Sequence, residues 1–183
     1  GFVTGARAPL LYMPVRSGPE AEVRAWLAAL DEVPEDSLPT HLNQKALRQW
    51  KRRNRRHRSF TVLRHPAARA HDAFCNKILM RGFLDFLRAN LAGQTGIRID
   101  AHWASQVAVL QGMAQFAVPD MLIREDEMQT DLPQMAGRVG YRDAPRPERA
   151  TGDTPFALSD IYDDEIESLV SDIYQRDYMT FGF

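Results

Sequence analysis

Ser59-Phe60-Thr61-Val62-Leu63-Arg64-His65-Pro66 is the stretch whose reading decides the fold. Its first five residues are uncharged and mostly aromatic or β-branched, which suits a buried strand. Arg64-His65 turns the chain, and Pro66 opens a helix, because a residue without an N–H loses nothing in a first turn. That helix carries Ala70, Phe74, Ile78 and Leu79 on its apolar side. Upstream, residues 8–15 (APLLYMPV) repeat the pattern as a second apolar strand, broken by Arg16-Ser17-Gly18-Pro19. A helix over residues 20–30 follows, with Val23, Trp26, Leu27 and Leu30 at helical spacing and Pro19 at its first turn. Two strand–turn–helix units predict an α/β domain with a short parallel sheet flanked by helices. Ligands of such sheets gather at the carboxyl ends of the strands, where Arg16-Ser17-Gly18 and Arg64-His65-Pro66 both fall.

Further elements extend this frame. Thr40 is a cap for a helix reaching about residue 54, and residues 83–91 form another helix, ended by Gly93. Residues 103–116 read as helical, 121–123 as a short strand, and 127–139 as a helix. Residues 141–155 form a charged, proline-bearing linker. A last helix spans residues 162–175, with Asp163, Asp164 and Glu165 at its positive end and Ile166, Leu169, Val170 and Ile173 as its stripe.

Composition narrows the function. A chain of 183 residues, 44% hydrophobic, fits one domain over residues 1–183. It begins at Gly1 rather than Met, which also fits a fragment or one half of a longer protein. The net charge of −1 gives no overall field that would draw DNA or a membrane. Cys75 is the only cysteine, so an internal disulfide and a Cys-rich zinc site are excluded, in keeping with a cytoplasmic location. His71 and Cys75 have i, i+4 metal-ligand spacing without a third convergent ligand, and no metal is expected. No apolar run reaches the ~20 residues that span a bilayer, and no signal peptide is recognisable. The motifs of serine hydrolases, P-loop NTPases and Rossmann dehydrogenases are missing.

Charge is locally uneven. Lys45, Arg48, Lys51, Arg52, Arg53, Arg55, Arg56 and Arg58 crowd one helix and its exit. A solvated helical face is the plain reading, and an acidic glycan or acidic protein partner comes next. Nucleic acid comes last, because no aromatic platform accompanies the charges. Arg64, just before a helix N-terminus, and Arg69, one turn along, suit either an anion or ordinary surface ion pairs.

Four stretches in order resemble carbohydrate sulfotransferases. Arg64-His65-Pro66-Ala67-Ala68-Arg69 with Ala73-Phe74 and Asn76-Lys77 is similar to that family's strand–helix for the 3′-phosphate of its donor. That donor is PAPS, 3′-phosphoadenosine 5′-phosphosulfate. His102-Trp103 with Gln106, the MLIREDEMQTDL run at residues 121–132, and Tyr174-Gln175-Arg176-Asp177-Tyr178 through Phe181-Gly182-Phe183 resemble three further family motifs. The resemblance implies a three-layer, P-loop-NTPase-like sulfotransferase fold that transfers sulfate from PAPS to a carbohydrate or other acidic acceptor. Arg64 and Arg69 would hold the 3′-phosphate, with Arg16, Ser17 and Gly18 at the 5′ side. Arg16 would be the cation at the leaving oxygen and His102 the base for the acceptor hydroxyl. Two positions depart from the family pattern. Glu20 stands where a hydroxyl donor is usual, and Asp72 replaces a serine on the 3′-phosphate. Both put a carboxylate against an anion, so the alternative is an inactive module of the same fold that binds an acidic partner through its basic helix.

Overall fold

The computed structural model describes residues 1–41, 43–77, 82–93, 100–149 and 154–183, the side chains of 76, 77 and 93 excepted. Five strands, β1 (Phe2–Thr4), β2 (Leu10–Tyr12), β3 (Thr40–His41), β4 (Arg58–Leu63) and β5 (Met121–Arg124), make one sheet in the order β3-β1-β2-β4-β5. Strands β2, β4 and β5 are parallel, with Tyr12 opposite Phe60 and Leu63 opposite Arg124. This is the predicted parallel unit. The sheet as a whole is mixed, because β1 runs antiparallel to both β2 and β3. At three and two residues, β1 and β3 are too short to show an alternation in the sequence.

The β1–β2 connection is fixed by contacts rather than by pattern. Gly5 donates its N–H to Leu10 O, and a Cβ on Gly5 would lie 2.5 Å from Ala8 O, so only glycine fits. The buried Asp31 carboxylate accepts the backbone N–H groups of Arg7 and Ala8 and the Tyr141 hydroxyl. One side chain therefore ties the loop, a helix end and the distant linker together.

Eight helices surround the sheet among the described residues: α1 (Glu20–Asp31), α2 (Gln44–Arg53), α3 (Pro66–Lys77), α4 (Phe83–Gly93), α5 (Gln106–Met113), α6 (Met128–Arg138), α7 (Asp164–Ile173) and α8 (Gln175–Phe181). Strand alternation sorts the packing. Leu10, Tyr12, Phe60, Val62 and Ile123 face Trp26 and Leu27 of α1 and Leu132 and Met135 of α6. Leu11 and Met13 face Leu47 of α2, joined by Trp50 and Met113. A third cluster joins Phe74 of α3, Phe86 and Leu87 of α4, and Ile166 and Val170 of α7. None of these helices is long and apolar enough to cross a membrane.

Several boundaries differ from the expectation. Thr40 pairs in β3 with Val3, and the cap of the basic helix is Asn43, whose side chain accepts Ala46 N–H at 2.9 Å. Pro19 is the residue before α1 rather than its first turn. The helix expected over residues 103–116 begins only at Gln106, capped by Ser105, and α8 continues the chain where the last helix was expected to end. Ile78, Leu79 and residues 150–153 of the linker lie outside the described residues.

Candidate functional site

The parallel strands β2, β4 and β5 deliver three loops to one edge of the sheet, and between them lies a cleft of about 570 Å³. Gly18, Glu22, Arg64, Asp72, Glu125 and Arg149 are among its lining residues. The loop after β2 is a tight turn in which Gly18 donates its N–H to Val15 O at 3.0 Å. Ser17 holds the third position of that turn with φ 56, as a type II turn requires. At Gly18 a Cβ would stand 2.8 Å from Val15 O, so the close approach there demands glycine.

Arg64 occupies the centre. Its Nε and Nη2 donate to the two carboxylate oxygens of Glu125, both at 2.8 Å, as a bidentate pair. Glu22 lies 3.5 Å from the same guanidinium, Asp72 4.0 Å, and Nη1 also reaches Ser17 O at 3.5 Å. Burial works against this charge. The Glu125 hydrogen bonds and the three carboxylates outweigh it and hold the Arg64 pKa above its ordinary value. With Asp126 added, carboxylates outnumber guanidiniums in the lining. The same field reaches Tyr12 at the end of β2, a fully buried phenol whose oxygen has no hydrogen-bond partner among the described residues. Burial, then Glu20 and Glu22, push its pKa upward.

Behind Arg64 the four resembling stretches meet through hydrogen bonds. Gln106 is buried; it accepts the Arg64 N–H at 3.1 Å and donates to Arg64 O at 2.8 Å, closing the end of β4 like an extra strand residue. Asp177, also buried, accepts the N–H groups of Gln106 and Val107 at 2.8 and 2.9 Å and so caps α5 from a distant helix. Burial raises the Asp177 pKa, although those N–H groups and Arg69 pull the other way. Tyr174 donates its hydroxyl to Trp103 O, and His65 stands edge-on to Tyr178 and Phe183. Arg124 joins from β5, donating to Gly182 O and lying 5.1 Å from the Phe183 ring.

Arg69 has a different place from the one the resemblance implies. It is 1% exposed, and its guanidinium donates to Arg16 O at 2.8 Å, Ala101 O at 2.6 Å and Ala104 O. It bolts the loop after β2 to the segment that carries His102. That bolt brings Ser17 and His102 together, with Oγ and Nδ1 sharing a hydrogen bond at 3.0 Å. Of the expected residues, Gly18, Arg64 and Asp72 line the cleft, Ser17 and His102 form a pair beside it, and the Arg16 side chain is exposed outside the lining. Glu22, Glu125, Asp126 and Arg149 were missed by the sequence reading. Glu125 alone had a signal, as the first carboxylate after the short strand expected at residues 121–123.

His71 and Cys75 do lie together, Nε2 to Sγ at 3.5 Å, with the imidazole edge-on to Phe83 and Phe156. Burial lowers the His71 pKa and raises that of Cys75, which leaves a neutral pair and an unreactive thiol. Among the described residues no group of three His, Cys, Asp or Glu is arranged to hold a metal. Compared with known proteins, the chain matches no family model, no curated protein and no solved structure.

Proposed function

We propose that this chain is a sulfotransferase-like domain whose cleft binds the phosphoadenosine nucleotide PAPS and whose reaction passes sulfate to a carbohydrate hydroxyl. The observation that carries the reading is the placement of Arg64 at the carboxyl edge of three parallel strands, fixed from behind by Gln106 and Asp177. Carboxylates already surround this guanidinium, so a phosphate must displace Glu125 from it. A helix N-terminus and a tight glycine turn lie beside it, as anion sites require. In the reaction the acceptor oxygen forms a bond to sulfur while the bond from sulfur to the bridging oxygen breaks. The acceptor proton goes to His102, and the nucleotide leaves as 3′-phosphoadenosine 5′-phosphate. Positioning and charge stabilisation supply the rate, as in phosphoryl transfer.

One observation favours a second reading, an inactive module of the same architecture. The guanidinium of Arg64 is shared by Glu22, Asp72 and Glu125, and that of Arg69 is committed to carbonyls. Calorimetric titration with 3′-phosphoadenosine 5′-phosphate separates the two. For a donor site, wild type binds, Arg64→Ala weakens binding by ~10- to 100-fold, and Asp72→Ser strengthens it several-fold by removing a like charge. No binding to wild type, with binding gained in Asp72→Ser, selects the inactive module.

A further inference from the structure

The basic helix lies away from the cleft. Arg58 starts β4, so α2 and its exit run into the amino end of that strand, whereas the cleft stands at its carboxyl end. An acceptor in the cleft therefore does not rest on α2, and the charges there need another explanation. Residues 45–58 hold eight Lys and Arg, and no Asp or Glu occurs between Asp36 and Asp72. Lys45, Arg48, Arg52, Arg53, Arg55 and Arg56 are exposed, and among the described residues none of them is in an ion pair. Lys45, Arg48 and Arg52 recur at helical spacing and, with Gln49, line a groove of about 360 Å³.

The chain carries the complement of this surface. Residues 150–175 hold seven acids and no Lys or Arg. Asp160, Asp163, Asp164, Glu165 and Asp172 are exposed on α7 or just before it, and among the described residues only Glu165 of these is in an ion pair, with Arg88. Both helices are 10 residues long, about 15 Å by their rise. They belong to separate packing clusters, α2 on β2 and α7 on α3 and α4. Their charges are therefore not spent on each other within one molecule. A net charge of −1 sets no long-range repulsion between copies. Trp50, the one aromatic residue of α2, is half-buried beside His41 and His57, so it is not a free ring on which a nucleic-acid base would stack.

We infer that α2 of one molecule docks on α7 of a second copy. The contact is head-to-tail, so each molecule keeps one unused face of each sign and the assembly grows. This is independent of nucleotide binding, since among the described residues no side chain of either charged face lines the cleft.

Sedimentation velocity on purified, nuclease-treated protein tests it. At ~50 mM salt the wild type sediments as species heavier than the 20.8 kDa chain, and at ~0.5 M salt, where screening is strong, it returns to monomer. Lys45→Gln with Arg48→Gln and Arg52→Gln, or Asp160→Asn with Asp164→Asn, makes a monomer at low salt with an unchanged circular dichroism spectrum. Mixed one to one, the two variants form a dimer and nothing larger, because each supplies the face that the other lacks. A wild type that is monomeric at low salt overturns the inference. So does association that survives either variant, or association seen only in a sample not treated with nuclease, which would assign the basic face to nucleic acid.

Discussion

Arg69→Ala lowers the stability of the fold by about 3–5 kcal/mol, although the family resemblance would place this residue in ligand binding. The side chain is 1% exposed and donates to three backbone carbonyls, on residues 16, 101 and 104. Truncation leaves those carbonyls without their charged donor and opens a void where the long stem was packed. For a chain of this size the loss lowers the thermal midpoint by roughly 6–20 °C, readable by circular dichroism. Arg69→Lys restores little, because one ammonium does not span three acceptors that a planar fork reaches together. An Arg69 that served phosphate alone would leave the midpoint unchanged when removed.

Asp177→Ala is expected to cost about 2–4 kcal/mol. Its two carboxylate oxygens take the N–H groups that begin α5, and the same helix start presents Gln106 to the backbone of Arg64. Removing the carboxylate takes the acceptor from one buried and one half-buried donor. Asp177→Asn keeps one acceptor and sheds a buried charge, so its cost falls between those of wild type and alanine. Chemical denaturation of the three proteins checks the order. The loss is transmitted to the cleft, since Gln106 no longer holds the end of β4, and under the proposed donor-site reading nucleotide affinity falls with stability.

The parallel core of the fold was legible because its strands are apolar and each is followed by a turn and an amphipathic helix. Strand β4 and helices α1, α3 and α6 fall where the pattern of residues puts them. Strands β1 and β3 were not legible. Two or three residues carry no periodicity, and their pairing rests on long-range bonds such as Thr4 N–H to Pro39 O. The site divides in the same way. The sequence places Arg64 at a strand end because a strand, a turn and Pro66 surround it. It does not reveal that Glu125, sixty residues on, is the first residue after the adjacent strand and so meets Arg64 directly. Arg69 shows the converse limit. An arginine one turn into a helix has the spacing of a phosphate ligand, and only the backbone brought to it by the Ala101–Ala104 segment turns it into a clamp.

The measurement closest to the central claim is the NMR signal of the Arg64 side-chain N–H during titration with 3′-phosphoadenosine 5′-phosphate. Without nucleotide, the hydrogen bond to Glu125 slows exchange of the Nε proton and keeps the resonance visible. If the cleft is a donor site, saturation moves that resonance as the guanidinium passes from Glu125 to phosphate, and Asp72→Ser brings the change at lower nucleotide concentration. An Arg64 resonance that stays in place through a millimolar excess of nucleotide contradicts the account and leaves the guanidinium as a structural partner of three carboxylates.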